Sequence, residues 1–198
     1  MPYPETHKAR SRERILSSAI ELFSGQGYDN VTIDELMAHA GMTRGAFYAH
    51  FNSKQQLYSE AIVTAAMRSP IANSHQGDGS SRKRLKEMMA AYLSQAHLEQ
   101  TSPCPLAFLV TDIANREPEV RDTYTKVYNG FSKRVGKLLA EEGGKSDTAM
   151  ALTALMIGGV ALGRALNDDA AVRKLPRCVS KCGRNIDQSL MSAGFQCC

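Results

Sequence analysis

Thr43, Arg44, Gly45, Tyr48 and His50 bring a set of hydrogen-bonding groups together within eight residues. An arginine so placed can fork onto the O6 and N7 of guanine, and a threonine hydroxyl can reach a phosphate or a base edge. Gly45 has no side chain to hold the backbone away from a thymine methyl or a phosphate. Tyr48 and His50 offer polar groups at phosphate distance, and Lys54 adds a charge beside the amide donors of a following helix start. The chemistry implied is contact with nucleic acid. Each aromatic also has a structural alternative: Tyr48 packing on the domain surface, His50 capping or packing against the next helix. His39 reads as a surface or packing residue.

Such a set reads DNA only if short helices hold it rigidly. Ile33, Leu36, Met37 and Ala40 recur at the helical spacing, with Thr32 as N-cap and Glu35 completing a capping box. Gly41-Met42-Thr43 breaks that helix, and Thr43 can cap a short third helix from Arg44 to Phe51 with Phe47 and Phe51 turned inward. Ser53 and Gln56 can cap a fourth helix running to about Arg68. Two short helices joined by a glycine-containing turn form the helix-turn-helix pattern, here about residues 31–50. Ahead of it, Ile15, Ala19, Leu22 and Phe23 mark a first helix ending at Gly25-Gln26-Gly27. Lys8, Arg10, Arg12 and Arg14 form a basic arm beside a segment, residues 15–43, that has no Lys or Arg. Such an arm suits phosphate contact.

The run TIDELMAHAGMTRGAFYAHFNSKQQLY, with its aromatic-Tyr-x-His-Phe core and following Ser-Lys, resembles the signature of the TetR family of bacterial regulators. The resemblance implies contact roles for Thr43, Arg44, Gly45, Tyr48, His50 and Lys54, and a phosphate role for Thr32. It also implies an all-α fold of about nine helices. Residues 1–54 would form the DNA-binding domain and 55–198 a ligand-binding and dimerisation domain, with 55–68 as the connecting helix. The activity implied is a ligand-responsive regulator, most simply a repressor. It would bind palindromic operator DNA as a homodimer and be released by a small hydrophobic or electrophilic effector.

The rest of the chain reads as helix after helix. Leu85 to Ala96, Leu106 to Ile113 (opened by Ser102-Pro103) and Val120 to Leu139 are amphipathic. Residues 69–81 read as a loop. A helix from about Ser146 to Asn167 is apolar nearly all round, and Pro176 is expected to start a last helix ending near Gly194. Met88, Met89, Tyr92, Leu106, Phe108, Leu109, Tyr124, Tyr128 and Phe131 are the candidate walls of an effector pocket, although most must be ordinary core. Gly158, Gly159, Ala161 and Gly163 would let a helix approach closely, either a partner subunit's or one of the same chain.

Cys104 stands near a helix start, where amide donors favour a thiolate. It is a candidate sensor for electrophiles or oxidants, or else a small buried apolar residue. Cys178 and Cys182 share a helix face and Cys197-Cys198 form a pair. Their spacing lacks a compact CxxC…CxxC pattern, so no metal is expected, and packing or tail roles are. No Gly-rich phosphate loop after a strand and no HExxH is present, so neither an enzyme nor a cofactor is expected. The chain has 198 residues and a net charge of +4, which on its own does not indicate nucleic acid. The polar N-terminus lacks the apolar core of a secretory signal, and the longest uncharged stretch, Thr148 to Gly163, falls short of a membrane span. A cytoplasmic location with reduced thiols is expected.

Overall fold

A computed structural model describes residues 5–69, 71, 79–99, 104–143 and 146–192, with side chains to residue 182. Among the described residues there are helices and no strand, as the sequence pattern predicts. We number them α1 (Glu5–Gln26), α2 (Ile33–His39), α3 (Arg44–Tyr48), α4 (Lys54–Arg68), α5 (Ser81–Tyr92), α6 (Gln95–Leu98), α7 (Pro105–Phe108), α8 (Val110–Ile113), α9 (Pro118–Ala140), α10 (Ser146–Ala165) and α11 (Asp169–Ser192).

The chain packs into two compact units, residues 1–68 with 103–127, and residues 69–102 with 128–198. The first unit is thus wider than the reading segment 1–54, because α4, α7, α8 and the start of α9 share its core. Ile15, Leu16, Ala19 and Phe23 of α1, Leu36 and Met37 of α2, and Phe47 of α3 meet Leu57, Tyr58, Ala61 and Ile62 of α4 there. Leu109, Ile113 and Val120 complete the cluster. Burying a side chain of this size stabilises by roughly 1.5–3 kcal/mol, so the apolar spacing of α1–α4 accounts for their docking.

The second unit buries Met88, Met89 and Tyr92 of α5, Val135, Leu138 and Leu139 of α9, and Leu152, Met156 and Val160 of α10. Helix α10 packs on α5, α6 and α11. By length and composition α10 could cross a membrane, yet half of its apolar window is buried inside the protein. Its small residues divide between two faces. A Cβ on Gly159 would press on Val179 and Leu93, and one on Gly163 on Leu98, whereas a Cβ on Gly158 would meet nothing. Gly159 and Gly163 therefore serve packing within the chain.

Outside α3, three boundaries differ from the sequence expectation. The last helix begins at Asp169 rather than Pro176, and Pro176 lies inside it. Asp168 Oδ1 caps it by accepting the amides of Ala170 and Ala171 at 2.9 and 3.2 Å. A proline inside a helix costs one backbone hydrogen bond but does not forbid the helix where packing holds both sides. The expected helix over 106–113 breaks at Leu109 into two single turns, the first of which begins at Pro105. The expected helix through Ala96 ends at Tyr92, and a separate turn follows. The expected starts and ends at Ser102-Pro103 and Gly194, and most of the loop 69–81, lie outside the described residues.

Candidate nucleic-acid interface

Helix α2 starts on a full capping box. The amide of Glu35 donates to Thr32 Oγ1 at 3.1 Å, and Glu35 Oε2 accepts from the Thr32 amide at 2.8 Å. The Thr32 amide, then the Thr32 hydroxyl, both donating to Glu35 Oε2, hold that carboxyl below its ordinary pKa. The helix ends as a Schellman motif: Met42 N–H donates to Met37 O at 2.8 Å and Gly41 N–H to Ala38 O at 2.9 Å. Gly41 has φ +62°, a conformation that favours glycine. From α1, Arg14 Nη2 donates to the Ala40 carbonyl at 2.6 Å. The turn between the two short helices is thus fixed from both sides.

That turn presents α3. Phe47 points inward and is fully buried, and Thr43, Arg44, Gly45 and Tyr48 lie on the solvent side, with Tyr48 56% exposed. Thr43 precedes α3 without a side-chain cap bond, so its hydroxyl is not engaged as the expected cap. The helix stops at Tyr48, a turn earlier than Phe51. A Cβ on Gly45 would meet nothing within 4 Å; the fold itself does not require glycine there. Arg44 Nη1 donates to Asp34 Oδ2 at 2.7 Å, and the Tyr48 hydroxyl, then Asp34, favour its charged form further.

The remaining candidates are held by the protein itself. His50 is half-buried and its Nδ1 meets no hydrogen-bond partner among the described residues. Desolvation, followed by Lys8 and Arg12, lowers its pKa and keeps the ring neutral. Lys54 Nζ donates to the Tyr28 carbonyl and sits 4.0 Å from the centre of the Tyr28 ring. Burial is the chief cause lowering its pKa. Two members of the basic arm also have internal work. Arg12 pairs with Glu60 and lies 4.8 Å over the Phe51 ring, and Arg14 holds Ala40.

A polar lock ties Asp112 and Arg116 to α4 and the α1–α2 loop. Arg116 grips Asp29 through two bonds of 2.8 and 2.6 Å, and its guanidinium lies 4.8 Å from the Tyr28 ring. Tyr58 donates its hydroxyl to Asp112, and Arg116 Nη2 is 3.7 Å from the same carboxylate. Asp29 is held below its ordinary pKa mainly by Arg116, and Tyr58 is pushed well above its own by burial. Sequence reading found neither this lock nor the Arg14 and Asp34 contacts. They join residues up to 87 positions apart, and no periodicity records such pairs.

The pocket candidates fall in both units. Met88, Met89 and Tyr92 are buried in the second unit, where Tyr92 stacks on Phe131 at 5.1 Å, and Tyr128 is half-buried. Leu106, Phe108 and Tyr124 belong to the first unit, where Tyr124 donates to the Leu106 carbonyl at 2.6 Å. A groove of about 300 Å³ in the second unit is lined by Gln95, Leu98, Glu99, Gly163, Arg164 and Val172. Cys104 is 5% exposed at the N-cap of α7. Cys178 and Cys182 are exposed rather than packed, and Cys197-Cys198 lie outside the described residues. Among the described residues no group of three potential ligands could hold a metal.

The family model described as bacterial regulatory proteins, tetR family, matches residues 15–61. An HTH-type transcriptional regulator of Pseudomonas putida, SrpR, is 32% identical over 46% of this chain and 42% of its own length. A second Pseudomonas putida protein, the uncharacterised HTH-type regulator TtgW, is 32% identical over 46% of this chain and 66% of its own. The alignments thus span about half the length of these relatives. In fold, a TetR transcriptional regulator from Chloroflexus aurantiacus superposes with a TM-score of 0.77 at 22% identity, covering 89% of this chain and 95% of that one.

Proposed function

Because the chain belongs to the TetR family of bacterial regulatory proteins by its helix-turn-helix segment, we propose that it is a ligand-responsive transcriptional repressor of the cytoplasm. It binds palindromic operator DNA as a homodimer and leaves it when a small hydrophobic or electrophilic effector binds. The observation that carries this reading is the outward face of α3: Thr43, Arg44, Gly45 and Tyr48 exposed on a helix whose mount is fixed by Gly41 and Arg14. Open space at Gly45 suits close approach of a DNA backbone. Thr32 stands exposed at the start of α2 as a phosphate contact. His50 and Lys54 flank the face, Lys54 reaching a phosphate by leaving Tyr28.

One short helix discriminates little, and a two-fold pair of half-sites doubles the readout. Exposed Met150, Ala154 and Leu162, with Leu166 just past its end, give α10 an apolar outer face for the second copy. Candidate walls for the effector are Met88, Met89, Tyr92 and Tyr128 in the second unit and, separately, Leu106, Phe108 and Tyr124 in the first. The effector acts by preferring a state in which α4 tilts, so operator affinity falls by the ratio of its affinities for the two states. The Tyr58–Asp112 and Arg116–Asp29 contacts support such coupling, since they fasten residues 104–127 to α4 and the α1–α2 loop. Cys104, the candidate electrophile sensor, is reached only after local opening of its packing.

The test is selection of duplexes from a random pool, followed by gel retardation. Arg44→Ala and Tyr48→Phe are expected to weaken binding to the selected duplex, Arg44→Ala by about 1–3 kcal/mol, with folding intact. Selection that enriches no duplex, or equal retardation of every sequence, sinks the reading.

A further inference from the structure

The Arg44 contact sets a condition on how that arginine can be used. Asp34 is the second residue of α2 and Arg44 the first of α3. Their relation is set by a turn that the Schellman bonds, Gly41 and Arg14 fix in place. Both side chains are more than half exposed, and they meet at 2.7 Å. The Thr32–Glu35 box pins the start of that helix, where Asp34 is a second acidic residue of the first turn. A carboxylate on a face turned toward phosphates costs affinity for every DNA sequence. Its presence there therefore calls for a compensating role.

We infer that Asp34 is a specificity-determining residue, which steadies the Arg44 guanidinium for a base edge and withholds it from phosphates. This rests on the DNA-binding reading above. Held through Nη1 by Asp34 and bonded also to the Tyr48 hydroxyl, the guanidinium has five N–H donors in all, enough to leave a pair for the O6 and N7 of a guanine. Seen by a phosphate, the paired side chains sum to no net charge. Non-specific binding, which grows from phosphate neutralisation and counterion release, then gains little from Arg44. Only a base pair that offers two acceptors in the right place rewards the arginine.

The experiment compares four proteins: wild type, Asp34→Asn, Arg44→Ala and the double variant. Each is titrated with a duplex selected by the wild type and with a scrambled duplex, over a salt series. Asp34→Asn is expected to lower the ratio of selected to scrambled affinity about three- to tenfold. It should also steepen the salt dependence for scrambled DNA by about one unit of slope. In the Arg44→Ala background the same change should leave the ratio alone, which separates positioning of Arg44 from simple repulsion. A ratio and slope equal to wild type, or an equal drop in ratio without Arg44, overturns the inference. A wild type that enriches no duplex overturns the DNA-binding reading itself, a different failure. Thermal melts of all four proteins verify the fold.

Discussion

Arg14 makes a contact with two consequences. It satisfies a carbonyl that α2 leaves over at its C-terminal end, and its Nη2 stands where a Cβ on Gly41 would intrude at 2.9 Å. Arg14→Ala is expected to lower stability by about 1 kcal/mol, near 3 °C in Tm for a chain of this length. The loss should be accompanied by weaker operator binding, because the turn that aims α3 loses its brace; a melt and a retardation assay check both. Buried His97 makes a pH statement. Its Nδ1–H donates to the Tyr92 carbonyl. Burial, partly opposed by that bond and reinforced by Arg164, lowers its pKa. Since the folded value lies below the unfolded value of about 6.5, the unfolded chain takes the proton first. The stabilisation is complete above pH 6.5 and is lost as pH falls toward the folded value. His50 titrates in the same sense. The Tm should fall as the pH drops below about 6.5. His97→Asn, whose amide can replace the donor, should flatten that slope; parallel curves for the two proteins would assign the effect elsewhere.

Among the elements, legibility follows locality. Helices α2 and α4 can be read at both their starts because their caps, Thr32 with Glu35 and Ser53 with Gln56, lie within three or four residues of each other. The apolar spacing of α1 and α2 likewise names residues that are buried. Helix α11 departs from the reading because Pro176 resembles a start signal, whereas Asp168 supplies the cap and packing against α10 carries the chain through the proline. The break at Leu109 has no breaker residue in it; the backbone turns there to φ −106°, ψ 3°, and the Leu109 side chain is buried. The outward residues of α3 are legible for the reason that makes α2 legible, a local turn signal. What Arg12, Arg14 and Lys54 do is not, because in sequence each is only a cation near the motif. In the fold each finds a partner at least 26 residues away.

For the whole molecule, the proposed homodimer puts its test on the outer face of α10. Leu162 is 54% and Met150 59% exposed, on a helix whose other side is already covered by α5, α6 and α11. Leu162→Glu is expected to weaken self-association at least 100-fold, about 3 kcal/mol, in sedimentation experiments, while leaving helical content unchanged. An unaltered dimer would place the contact on another face. The lock around Tyr28 and Tyr58 has an optical consequence as well. With seven tyrosines and no tryptophan, the near-ultraviolet spectrum of the chain is dominated by its phenols. Burial is the main cause that raises both Tyr28 and Tyr58 above the usual ionisation range. During alkaline titration the exposed phenols turn to phenolate first, and Tyr58 follows only when its bond to Asp112 opens. Absorbance of the late-ionising fraction is thus a label-free gauge of whether residues 104–127 still grip the reading head.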